Sequence, residues 1–86
     1  MRLDLFLKLC CITRRRSEAK YACENGIVTL DGCPAKASRG VQPGRRVGIA
    51  FKNRYLEILV LKLPVGNISK SSVGSYYRVV RDETIM

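Results

Sequence analysis

Residues 3–26, LDLFLKLCCITRRRSEAKYACENG, decide the fold of this chain. Leu3, Phe6, Leu7 and Cys10 recur at i, i+3, i+4 and i+7, the apolar stripe of an amphipathic helix, and predict a first helix over about residues 3–11. Past Thr13, Ala19, Ala22 and Cys23 form a second, narrower stripe. Asn25-Gly26 then supplies a left-handed stop, so a second helix is expected over about residues 15–25. Its small Ala and Cys face lets the two helices pack closely. Projected at 100° per residue, Arg16 and Lys20 share one border of that face, whereas Arg15 falls in the buried arc and has to escape from the helix end.

The junction between the helices holds Arg14, Arg15 and Arg16. Each guanidinium is planar, permanently charged and able to hold a phosphate through two parallel hydrogen bonds. A helix N-terminus, with free N–H groups and the positive end of the dipole, favours an anion at the same place. A solvated surface would explain a lone arginine run but not its setting. Residues 1–54 carry 12 Lys or Arg against four Asp or Glu, while residues 55–86 carry four against three. With a formal charge of +9, no histidine and a pI near 9.9, the composition points to nucleic acid as the partner. Membrane-surface binding would need a basic helix with large apolar residues along its whole opposite face, and none is present. No stretch reaches the roughly 20 apolar residues of a bilayer span. Asp4 and Lys8 interrupt the apolar start Met1–Ile12, and no small-residue cleavage site follows, so a cytoplasmic location is expected.

Eighty-six residues make one small domain with a single core and no room for a separate catalytic one. No histidine, no paired carboxylates beside a Gly-rich loop and no nucleophile–base pair are present, so no enzyme is expected. Cys10, Cys11, Cys23 and Cys33 lack C-x-x-C spacing, and adjacent Cys10 and Cys11 diverge by roughly 100° on a helix. They read as free thiols packed as small core residues in a reducing compartment, with no metal or cofactor.

Downstream, Ile27–Leu30 is β-rich and ends in Asp31-Gly32, a two-residue hairpin signal. Pro34 lacks an N–H and sends the return through Ala35–Ala37 to a sheet edge, leaving Lys36 and Arg39 near the surface. Pro43-Gly44 marks a turn, and Val47, Ile49 and Phe51 alternate as one strand face. Tyr55–Leu63 reads as a strand buried on both faces. Pro64–Ser75, rich in Gly, Ser and Asn, reads as a mobile loop before a last short strand or edge segment over Tyr76–Arg81. The expected division is residues 1–63 as the domain with its core strands and 64–86 as loop and C-terminal extension. Tyr21, Tyr55, Tyr76 and Tyr77 read as covers of core edges rather than base-stacking residues. Lys8 and Arg14 meet either phosphate or water. Asp4 is either a first-turn acid on the helix dipole or a carboxylate that orients Arg2 and Arg16.

Arg2-Leu3-Asp4, Phe6-Leu7, Arg15-Arg16-Ser17, Ala19, Gly26, Val28, Asp31-Gly32, Lys36, Ser38, Val41 and Gly44 occur in the order of the S4 RNA-binding domain family, which the chain resembles over about residues 1–50. The compact length, Tyr76-Tyr77-Arg78-Val79-Val80 and Asp82-Glu83 are most similar to its bacterial ribosome quality-control members, related to heat shock protein 15. The resemblance implies an α+β fold, two packed helices on a small bent, mainly antiparallel sheet with a C-terminal extension, monomeric when free. It implies binding to a stalled 50S ribosomal subunit that carries peptidyl-tRNA, through large-subunit rRNA and tRNA, in support of tailing of the stalled peptide. An integral or assembly-related ribosomal protein, or an accessory of an RNA-modifying enzyme, would use the same surface. By matched position Arg2, Arg15, Arg16, Lys20 and Lys36 form the RNA surface, to which Arg14 and Arg39 are added as candidates, with Asp4 behind them. Leu5 and Cys11 stand where basic residues are common in the closer relatives, and Arg45 replaces the usual Asp after Gly44.

Overall fold

Two helices form where the apolar stripes predict them, each shorter than its expected range. In the computed structural model, which describes residues 1–66 and 68–84, α1 spans Leu3–Leu9 and α2 spans Arg16–Glu24. Both end in the same hydrogen-bond pattern. After α2, Gly26 takes φ +70°, its N–H donates to the Cys23 carbonyl at 3.2 Å and the Ile27 N–H to Ala22 at 2.9 Å. After α1 the left-handed residue is Cys11, at φ +61°, with its N–H on Lys8 (3.1 Å) and the Ile12 N–H on Leu7 (3.0 Å). This stop ends α1 two residues before the expected limit. It carries no glycine to announce it in the sequence.

The strands are β1 (Val28–Leu30), β2 (Cys33–Pro34), β3 (Arg46–Phe51), β4 (Arg54–Val60) and β5 (Tyr77–Thr84), with a short 3-10 helix, Lys70–Ser75, before the last. They form one antiparallel sheet in the order β2-β1-β3-β4-β5. Asp31 and Gly32 both adopt positive φ, 52° and 86°, which is the two-residue turn their sequence calls for between β1 and β2. Pro34 lies on the edge strand itself, so the return is shorter than expected.

Side chains from three strands line up in rows facing the helices. Val28 pairs with Ile49 and Ile49 with Leu56, while Leu30 pairs with Val47 and Val47 with Ile58. All six are buried, together with Leu3, Phe6, Leu7 and Cys10 of α1 and Ala19 and Cys23 of α2. Fully burying an aromatic or large aliphatic side chain of this kind contributes about 1.5–3 kcal/mol, so this one cluster supplies the drive to fold. On the opposite face Gly48 admits Tyr55: a Cβ there would sit 2.5 Å from the Tyr55 hydroxyl.

The C-terminal third departs from expectation. β4 ends at Val60 and is buried on one face only: Leu56, Ile58 and Val60 are inside, Leu59 and Leu63 are half-buried and Leu61 is exposed. Phe51, expected to continue the buried face of β3, is 39% exposed. The stretch read as a loop contains the 3-10 helix, and the strand after it runs eight residues, pairing with the whole of β4 across a register shift at Glu57/Ile58.

Candidate nucleic-acid interface

The amino-terminal turn of α1 is completed by a distant segment, and that connection gathers the cations. The first four N–H groups of any α-helix lack a partner within the helix. Here the Leu3 N–H donates to the Arg39 carbonyl (2.9 Å), the Asp4 N–H to Ala37 (3.1 Å) and the Leu5 N–H to the Asp4 carboxylate Oδ1 (2.8 Å). Arg2 makes a β-bridge with Gly40, and the Val41 N–H donates to the Met1 carbonyl at 2.8 Å. The loop following β2 is thereby pinned against α1. A turn within it, closed by the Arg39 N–H on the Lys36 carbonyl at 2.9 Å, carries Lys36 and Arg39.

Asp4 is 2% exposed and holds two arginines from different helices. Its Oδ1 lies 3.2 Å from Arg2 Nε, and its Oδ2 lies 3.3 Å from Arg2 Nη2 and 3.3 Å from Arg16 Nε. Both guanidinium groups remain about half exposed, 49% and 48% for their side chains. The two sequence readings of Asp4 therefore coincide: it is a first-turn acid and it orients the arginines. Burial by itself would raise the Asp4 pKa, but the contacts from Arg2, Arg16 and the Leu5 N–H outweigh it and hold the carboxyl below its ordinary value.

A groove between α2 and the segment after β2 is lined by Arg2, Lys20 and Lys36, with apolar walls from Cys23, Ala35 and Ala37. Glu24 borders it, 3.9 Å from Lys20 in an exposed pair that contributes little. Arg15 is the N-cap of α2 with extended backbone, φ −128° and ψ 151°, so its exposed side chain leaves the helix rather than crossing the buried arc. The Thr13 hydroxyl donates to the Arg15 carbonyl at 3.2 Å and steadies the entry. Arg2, Arg16, Lys20 and Lys36 are thus drawn together, with Arg39 joined through its backbone. Arg14 goes elsewhere, lining a second cleft with Lys8 and Lys70. Lys70 was passed over in the sequence because a lysine among Gly and Ser residues carries no local signal. Arg45, a departure from the family pattern, binds Asp31 at 2.7 Å.

The thiols divide. Cys10 and Cys23 are buried, and burial first of all pushes their pKa values up to about 12 and about 11. Cys11 and Cys33 are exposed, contrary to the expectation of core packing, because one occupies the left-handed helix stop and the other the edge strand. Among the described residues no group of three His, Cys, Asp or Glu side chains is placed to hold a metal, and no helix is long and apolar enough to cross a membrane.

A helix pair laid on an antiparallel sheet, with cations collected at both helix entrances, defines a small α+β domain of the S4 type. No protein-family model matches the chain. It is 31% identical over 85 residues to the RQC P-site tRNA stabilizing factor of Bacillus subtilis, covering 99% of this chain and 98% of that one. To the RQC P-site tRNA stabilizing factor of Halalkalibacterium halodurans it is 33% identical over 85 residues, 99% and 96% of the two chains. The trimeric structure of Vibrio cholerae heat shock protein 15 superposes with a TM-score of 0.86 at 25% identity, over 93% of this chain and 81% of that one. The chain belongs to the family of RQC P-site tRNA stabilizing factors.

Proposed function

We propose that this protein acts in ribosome-associated quality control, binding large ribosomal subunits that retain peptidyl-tRNA and stabilising the P-site tRNA there while the stalled chain is tailed. Family membership along nearly the whole chain supports the role. The observation that carries the mechanism is the clasp of Arg2 and Arg16 on one buried carboxylate, which fixes two half-exposed guanidinium groups from separate helices as one rigid pair. A guanidinium held in advance loses less rotamer freedom when it meets a phosphate, so more of the charge-assisted bond appears as affinity. Arg15, Lys20, Lys36 and Arg39 extend this surface along backbone phosphates, Arg14 contacts RNA at the junction, and Asp4 sets the geometry. The protein works by binding in the cytoplasm rather than by catalysis.

Sucrose-gradient fractionation tests the reading. The protein is expected in substoichiometric amount and enriched on 50S particles that carry peptidyl-tRNA. Stoichiometric presence on all 50S particles would instead make it an integral ribosomal protein.

A further inference from the structure

We infer that the free edge of β5 is a self-complementary surface, through which two copies of this chain pair antiparallel and continue the sheet from one molecule into the other. The sheet has two edges. β2, at one of them, is two residues long and ends in Pro34, which offers no N–H to a further strand. β5, at the other, runs eight residues without proline or glycine. Beyond the ladder to β4, no N–H or carbonyl group of Tyr77–Thr84 has a backbone hydrogen-bond partner among the described residues. Val79 and Val80, in the middle of the strand, are 49% and 36% exposed.

The bulge in β5 determines what such a partner meets. Tyr77, Val79 and Asp82 stand opposite Val60, Ile58 and Leu56 on the side that faces the helices, while Arg78, Arg81 and Glu83 stand opposite Leu59, Glu57 and Tyr55 on the outer side. Val80 is the extra residue between the two registers. In a regular strand residues five apart point to opposite faces; here the extra residue returns Arg78 and Glu83 to the same one. A two-fold axis perpendicular to the sheet, passing between Val80 and Arg81, therefore sets Arg78 of each copy opposite Glu83 of the other. It also sets Val79 opposite Asp82 and Tyr77 opposite Thr84, face matching face. Neighbouring axes either oppose Arg78 to Arg81 or match an outer residue with an inner one. Arg78 is exposed and has no ion-pair partner among the described residues, and Glu83 is steadied on the same face by Arg81 at 2.9 Å. Residues 55–86 carry four Lys or Arg against three Asp or Glu, so the pairing joins the least charged part of each chain. The groove of Arg2, Lys20 and Lys36 lies beside Pro34 at the opposite edge and stays open. In the ten-stranded sheet of the pair, two such grooves stand about 40 Å apart at about 4.8 Å per strand.

Two opposed strands make a small interface, so the association is reversible, and the monomer implied by the family resemblance is the form at low concentration. Sedimentation velocity of the full chain without RNA, between about 10 µM and about 1 mM, is expected to show a monomer–dimer equilibrium. Arg78→Glu and Glu83→Arg, each checked for its fold by circular dichroism, are each expected to weaken the dimer at least about tenfold, because each sets like charges opposite one another at both ends of the register. Mixed in equal amounts, the two variants are expected to regain the wild-type association, since each supplies the charge that the other lacks. A wild-type chain that stays monomeric throughout the range would overturn the proposal. So would a dimer that neither variant weakens, or one weakened by both with no recovery on mixing.

Discussion

Asp4 and Arg16 join the two helices, Oδ2 to Nε at 3.3 Å, with the carboxylate buried and the guanidinium half in water. Asp4→Asn keeps the side chain's shape but removes the charge that holds both arginines. The expected cost is about 1–2 kcal/mol, reduced from a fully buried pair by solvent at the arginines. Because the folded pKa lies below the unfolded value of 3.8, the stabilisation is complete above that value and is lost as pH falls through the folded pKa. Chemical denaturation of both proteins between pH 7 and pH 2 checks this: their stabilities should converge in the acid range. A constant difference down to pH 2 would exclude the charge as the cause.

Arg16→Ala is expected to reduce affinity for 50S particles carrying peptidyl-tRNA by roughly ten- to a hundredfold, equivalent to about 1.5–3 kcal/mol. Its removal leaves Asp4 paired with Arg2, so the stability loss should be about 1 kcal/mol or less. Arg81, bound to Glu83 on β5 at 2.9 Å, is the matched control and should bind as wild type. Equal defects in the two variants would remove the junction from the RNA surface.

Cys11 sits at φ +61°, where a side chain costs about 1–2 kcal/mol and glycine costs little. Cys11→Gly is therefore expected to stabilise the fold by about 0.5–1 kcal/mol, after the added freedom of glycine in the unfolded chain is subtracted. A thermal melt should show a rise of about 2–8 °C. A fall would mean that the thiol makes a contact worth more than the strain.

Native protein should present two thiols to a maleimide, those of Cys11 and Cys33, with the other two reacting only on unfolding. Burial raises the folded pKa values of Cys10 and Cys23 above the ordinary 9.0, so their contribution is intact below pH 9 and is lost as pH rises towards about 11–12. Mass spectrometry of labelled native protein counts the thiols directly. Four rapid modifications would contradict the packing of α1 against α2.

What the sequence made legible was local. The stripes of α1 and α2, the Asp31-Gly32 turn and the edge position of Pro34 follow from spacing and backbone restrictions within a few residues. Three features were not local. The end of α1 depends on a cysteine in a glycine's conformation; the length of β5 depends on pairing with β4; and Lys70 reaches Arg14 only through the packing of Ile68. Leu61 and Leu63 continued the apolar run of β4, but the strand stops at Val60, so the run gave no second buried face. The cations Arg2, Arg16, Lys20 and Lys36 were legible as residue types and positions. The anchor that Arg2 and Arg16 share on Asp4, and the carbonyls of Ala37 and Arg39, more than thirty residues along the chain, that bring the Lys36 turn against α1, were not.

That anchoring has a thermodynamic corollary. A seven-residue helix is too short to persist alone in water, so α1 exists only once the segment from Ala37 to Val41 has closed over its first turn. In the unfolded chain only the run Arg14–Arg16 stays together, while Arg2, Lys20, Lys36 and Arg39 are dispersed along the sequence. An RNA that recognises the assembled surface would therefore favour the folded state, by up to about 2.7 kcal/mol at a hundred times the dissociation constant. On the proposed function the ribosomal particle would act as a folding ligand: the free population tolerates mutual repulsion among its cations, and the bound population would be relieved of it.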